Sequence, residues 1–191
     1  MATTETDLSA ELQLADLLQR VEELEEKDGK RIEKKNKLTI IAWGGDLDRI
    51  WPTTILATTA AASGMESSVF FTFWGLFAIV KPEVRVTGSN WMQKMMSVMN
   101  PGSADKAKLS HYQFMGAGPA MFKKLADQHN VAKPDELIAL ALELGVKLIP
   151  CQMTMDLLGL KREDLLEGLE EPIGAATAIR EMREAAVPLF I

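Results

Sequence analysis

LTIIAWGGDLDRIWPTTILATTAAASGMESSVFFTFW, residues Leu38 to Trp74, is the stretch that decides the fold. Its first six residues are apolar or β-branched, the pattern of a strand covered on both faces. Gly44-Gly45 breaks the run, and Asp46 stands where the N-cap of a following helix belongs. That helix is expected over Leu47 to Ser63, stopped by Gly64, with Pro52 predicting a late start or a kink. Ala57, Ala60, Ala61 and Ala62 are small enough to let it lie close on a sheet. A second strand is expected over Ser67 to Trp74. Strand, helix and strand at this spacing make a parallel βαβ unit.

Downstream the alternation continues. Pro134 suits the first turn of a helix over Asp135 to Leu144, which Gly145 closes. Val146 to Pro150 (VKLIP) reads as a short strand and Gln152 to Leu158 as a short helix stopped by Gly159. Arg162 to Glu167 and Ile173 to Ala186 are expected to be helical, the latter opening on Gly174, Ala175 and Ala176. In the middle, Trp91 to Met99 reads as a Met-rich helix, Asn100 to Ser103 as a turn and His111 to Phe114 as a short strand or extended loop. Gly116 to Pro119 opens a helix running to about Gln128. The expected class is α/β, a parallel sheet with helices on both faces.

At the N-terminus, Ser9 to Lys27 reads as an amphipathic helix. Leu14, Leu17, Val21 and Leu24 recur at spacings of three and four, an a/d seam. Such a helix either joins another copy or docks on its own domain. Asp28-Gly29-Lys30 ends it, and the basic stretch Lys30 to Lys37 reads as a linker. Residues 1–36 are therefore the helix and linker, and residues 37–191 the α/β domain.

The totals narrow the function. The chain has 191 residues, 47% hydrophobic and 25% charged, which are globular proportions. A domain of this size buries roughly 70% of its unfolded surface and needs no disulfide or metal to fold. A net charge of −6 argues against nucleic acid, which is gripped by Lys and Arg on phosphates. One cysteine excludes an intramolecular disulfide and any site with two Cys ligands from one chain. That usage suits a reducing cytoplasm. MATTETDLSAELQ is polar and acidic, unlike a signal peptide. The most apolar run, Val69 to Val80, is far shorter than the about 20 residues of a membrane span.

In a parallel sheet, ligands bind outside the carboxyl ends of the strands. Gly44-Gly45-Asp46, Trp74-Gly75 and Cys151 each lie just past an expected strand end, so all three fall on one edge. Cys151 sits where a strand gives way to a helix. The N–H groups of Gln152, Met153 and Thr154 are expected to stabilise a thiolate there, with a further hydrogen bond from the Thr154 hydroxyl. The competing reading is a buried cysteine acting only as a small hydrophobe. His111 and His129 are the only histidines, and His111 leaves a Cys–His pair open. Gly116 to Pro119 reads either as an anion site at a helix start or as a plain loop. Asp46 and Asp48 are better read as a helix cap and its neighbour than as an acid/base pair. Met92, Met95, Met96 and Met99 suit core or interface better than soft-metal binding. No nucleotide-binding motif and no cluster at metal spacing occurs, so neither cofactor nor metal is expected.

The segments LTIIAWGGDLDRI, GMESSVFFTFWGL, HYQFMGAGPAMFKK and ELGVKLIPCQMTMDLLGLKREDL together resemble the DsrE/DsrF-like proteins, in particular a subgroup often labelled "peroxiredoxin family". The most specific pieces are FFTFWGL and C-x-M-[ST]-M-D-x-x-G. The resemblance covers the chain from Leu38 to about Gly174 and omits the N-terminal helix. It implies a flavodoxin-like sheet, a homo-oligomer, and a cysteine that receives sulfane sulfur as persulfide or S-thiosulfonate. The family cysteine falls on Cys151, and the implied partners are TusA-like or rhodanese-like sulfur carriers. A peroxiredoxin role fits poorly, because no second cysteine is present to resolve a sulfenic acid. Gly45, Asp46, Trp74, Gly116, Gln152, Met153 and Thr154 are the residues expected around the sulfur, with Phe73 and Met115 adding an apolar screen. The alternative is a non-catalytic oligomeric scaffold or regulatory subunit with an inert cysteine.

Overall fold

The computed structural model describes residues 16–23, 34–84, 91–93, 104, 107–111 and 117–191. Met1–Glu33 and Lys34–Ile191 form two units. In the first, residues 16–23 are helical (α1) and exposed throughout, Leu17, Leu18 and Val21 included. An Asp16–Arg20 ion pair at 3.3 Å runs along this helix. Leu14 and Leu24 lie outside the described residues, as do Met95, Met96, Met99, Asn100 to Ser103 and Tyr112 to Gly116.

The second unit is built on four strands: β1 (Lys35–Ala42), β2 (Glu66–Phe71), β3 (Lys147–Pro150) and β4 (Ala185–Phe190). They lie in the order β3-β2-β1-β4, every pairing parallel. Alternation along each strand divides the side chains between two faces. Leu38, Ile40, Ala42, Val69, Phe71 and Leu148 point into the larger core. There α2 (Leu47–Ala62) packs on the sheet and against α4 (Pro134–Glu143). Ile41, Phe70 and Ile149 point the other way, into a small cluster covered by α6 (Ala175–Glu184). α3 (Ala117–Gln128) and α5 (Gln152–Leu158) also belong to this unit. The expected α/β class with helices on both faces is what the structure has.

Four details differ from the sequence reading. Residues 185–190 form β4, which takes Ala185 and Ala186 from the helix expected over Ile173 to Ala186. The helix stops where Ala185 turns extended (φ −73°, ψ 139°), and AAVPLF then pairs with β1. Pro188, which has no N–H to give, is tolerated because β4 is an edge strand. β2 ends at Phe71, because Phe73 enters the left-handed region (φ 46°) and a 3₁₀ segment, Phe73–Ile79, follows. Arg162 to Glu167 contains only a 3₁₀ turn, Arg162–Asp164. Pro52 lies inside α2, which runs through it without a break.

Candidate functional site

The parallel pairing brings the carboxyl ends of β1, β2 and β3 to one edge, and close backbone packing joins them. A Cβ on Gly45 would stand 2.5 Å from the Trp74 carbonyl oxygen, and one on Gly75 would stand 2.3 Å from the Ala42 oxygen. Only glycine lets the loops after β1 and β2 meet at these distances. Gly75 N–H donates to Trp43 O (3.0 Å) and Thr72 N–H to Ala42 O (3.0 Å).

β3 delivers Cys151 to the same edge. Its N–H donates to Phe71 O (2.9 Å), and its carbonyl accepts from Met155 N–H (3.0 Å), so it is the N-cap of α5. α5 is closed by Gly159 in the left-handed region (φ 71°). The thiol turns to the thinly covered face. Cys151 is 1% exposed and clusters with Ile41, Phe70, Ile149 and Ala178, with Ile173 and Met182 against them. Phe73, Trp74 and Met153, expected to screen the sulfur, are half exposed, and Met115 lies outside the described residues.

Two expected donors are engaged elsewhere. Gln152 N–H donates to Ile173 O (3.0 Å), part of an extended strap along β3 in which Ile173 N–H donates to Pro150 O (3.1 Å). Thr154 is buried, but its hydroxyl accepts from Phe73 N–H (3.1 Å) and meets the Thr72 hydroxyl at 3.1 Å. It ties α5 to the strained turn after β2. Thr72, Ile173 and Ala178 had no signal in the sequence, since a lone threonine and small apolar residues look ordinary there.

At the end of β1, Asp46 holds the N-cap position of α2 without a side-chain capping bond. Burial, and then the charge of Asp48, push its pKa up; Arg49, 3.9 Å away, opposes them. Burial also pushes Asp48 up, but hydrogen bonds from Ser110, through N–H (2.8 Å) and hydroxyl, outweigh it and leave its pKa lowered. Ser110 Oγ also meets His111 Nδ1 at 2.9 Å, which places His111 beside the start of α2. Arg49 lies over the Trp43 ring at 4.5 Å, and that ring stacks on Phe190. Gly116 lies outside the described residues, and His129 is exposed. An apolar groove of about 420 Å³ between α2 and α3, lined by Trp51, Ile55, Phe122 and Leu125, holds none of the expected site residues. Among the described residues, no group of three or more His, Cys, Asp or Glu is placed to hold a metal ion, and no helix is long and apolar enough to cross a membrane.

Residues 34–190 match the model of the DsrE/DsrF/DrsH-like family. The chain is 40% identical over 159 residues to the uncharacterized protein YrkE of Bacillus subtilis, spanning 83% of this chain and 99% of that protein. It is 38% identical over 161 residues to the sulfur carrier protein DsrE2 of Allochromatium vinosum, again spanning 83% and 99%. Among solved structures, the ychN protein from E. coli has the same fold, with a TM-score of 0.51 at 12% identity over 81% of this chain and 98% of that one.

Proposed function

The chain belongs to the DsrE/DsrF/DrsH-like family, and from that premise we propose that it relays sulfane sulfur on Cys151. One observation carries the reading: the only thiol in the chain stands at the carboxyl end of β3, on the edge where parallel sheets bind ligands. The similarity to a protein named as a sulfur carrier supports it. The Cys151 thiolate attacks the outer sulfur of a donor persulfide, the donor S–S bond breaks, and the donor leaves as a thiolate. An acceptor thiolate then attacks the outer sulfur of the Cys151 persulfide and releases Cys151. The two exchanges are chemically alike, with no net oxidation. The apolar cluster around Cys151 limits loss of the sulfur to water and stray thiols.

The proposed acceptors are TusA-like or rhodanese-like carriers, the proposed assembly is a homo-oligomer, and the proposed compartment is the cytoplasm. S-thiosulfonate is a second form of cargo for the same thiol. Gly45, Asp46, Trp74, Met153 and Thr154 shape the edge around it. The test is transfer: protein loaded with isotopically labelled sulfur is mixed with a small carrier bearing one thiol. Label is expected on the acceptor, and its retention on Cys151 would sink the relay.

The burial of Cys151 favours a second reading, an oligomeric scaffold whose cysteine is inert. It predicts neither loading nor transfer with any donor.

A further inference from the structure

We propose that Cys151 is reached by local release of residues 170–178, the strap along β3 together with the first half of α6, while the sheet stays folded. The inference rests on the carrier reading, since a thiol that is 1% exposed cannot exchange sulfur in the closed state.

The cover is firmly held at both ends and weakly held between. On the near side, Leu169 is buried and its carbonyl accepts from the Arg162 guanidinium at 2.8 Å. On the far side, Lys37 pairs with Glu181, Lys35 with Glu184 at 2.5 Å, and Lys34 donates to the Arg183 carbonyl at 2.9 Å. α6 then runs directly into β4, which the register with β1 fixes.

Between those anchors, among the described residues, three backbone bonds hold the strap to β3 and the start of α5. They run from Glu170 N–H to Leu148 O (3.0 Å), from Ile173 N–H to Pro150 O (3.1 Å) and from Gln152 N–H to Ile173 O (3.0 Å). Gly174, Ala175 and Ala176 are exposed, and Ala178 is the one buried residue of α6. The apolar contact that opposes release is confined to one small cluster, Ile173 and Ala178 against Ile41, Phe70, Ile149 and Cys151. Gly168 (φ 78°) and Gly174 flank the strap, and nothing crowds the Gly174 Cα on the side where a Cβ would stand. Segments with few buried contacts open at free energies well below that of global unfolding.

The floor beneath the thiol behaves oppositely. Leu148, Met155 and Leu158 belong to the larger core, and Cys151 N–H is bonded to Phe71 O. Release of the cover therefore bares the sulfur without moving its backbone.

Alkylation of Cys151 with iodoacetamide across a urea series tests this, in wild type, Ile173→Ala and Ile40→Val. Ile173 belongs to the cover, whereas Ile40 is buried at 0% exposure in the larger core and touches no part of it. Below the unfolding transition, labelling is expected to be nearly independent of urea and slower than for a free thiol. Ile173→Ala should accelerate it by about tenfold. Ile40→Val should raise the global unfolding equilibrium by about fivefold yet leave low-urea labelling unchanged. A urea slope equal to that of global unfolding, with both variants accelerating in proportion to lost stability, overturns the proposal. So does labelling at the free-thiol rate. Sulfur uptake is read separately by mass: a thiol that opens locally but takes up no persulfide sinks the carrier and leaves the gate standing.

Discussion

Thr154→Val tests how the strained turn after β2 is held against the cysteine-bearing helix. Valine keeps the shape of threonine and replaces the hydroxyl with a methyl group. Two hydrogen bonds disappear, from Phe73 N–H and with the Thr72 hydroxyl, each 3.1 Å long in the wild type. Thr72 and Thr154 are 8% and 1% exposed, so water does not readily replace the lost partner. A hydrogen bond contributes about 1 kcal/mol net, and a buried polar group left unpaired costs about 1–3 kcal/mol. Relaxation of Phe73 from φ 46°, a conformation costing about 1–2 kcal/mol, limits the damage. The expected loss is about 3 kcal/mol, a fall in Tm of roughly 6–12 °C for a domain of this size. Thr154→Ser keeps the hydroxyl and should lose about 1 kcal/mol. In Thr72→Val/Thr154→Val the orphaned Thr72 hydroxyl is gone, so the double variant should lose less than the two single losses summed. Calorimetry and urea unfolding of wild type, the three single variants and the double variant measure all of this. A Val variant as stable as the Ser variant would refute the reasoning.

Other perturbations separate backbone approach, buried polarity and charge. Gly75→Ala should cost several kcal/mol, because its Cβ meets the Ala42 carbonyl oxygen at 2.3 Å; Gly64→Ala, with nothing within 4 Å and only its φ of 80° to offend, should cost about 1 kcal/mol. Equal urea midpoints for the pair would contradict the close approach. Among the described residues Ser67 Oγ is buried and has no hydrogen-bond partner, so Ser67→Ala should raise stability by about 1 kcal/mol in urea unfolding, and a loss would contradict that. Burial, then Asp48, raise the folded pKa of Asp46 above 3.8. Its stabilising contribution is therefore complete below the unfolded pKa and lost as pH rises through the folded one. Asp46→Asn should melt higher than wild type at pH 7, with the difference vanishing below about pH 3.8; a lower Tm at pH 7 would reverse the sign.

β1 and β3 were legible from end to end because each is an apolar run with a clear stop, whereas β2 was legible only as a run and its end at Phe71 was not. Gly44-Gly45 stops β1, and the strand-to-helix change at Cys151 stops β3. α4 and α5 were legible from Pro134 and from Gly145 and Gly159, both glycines in the left-handed region (φ 75° and 71°). β4 was not, because Ala185 and Ala186 follow the helix without a turn and carry helix propensity. Its extended form comes from β1, about 150 residues away in sequence. The surroundings of the thiol were hidden for the same reason. Thr72 and Thr154 meet across a separation of 82 residues, and Ile173 and Ala178 arrive from a strap whose path the local pattern does not encode. Helix-start geometry at Cys151 was foreseeable, whereas the engagement of Gln152 N–H by Ile173 was not.

Intact-protein mass spectrometry after incubation with thiosulfate, polysulfide or glutathione persulfide tests the central claim most directly, with Cys151→Ser alongside wild type. A reducible mass increase of one or more sulfur atoms is expected on wild type alone, with Cys151→Ser folded and unmodified. No adduct on wild type with any donor, or an equal adduct on Cys151→Ser, would contradict it.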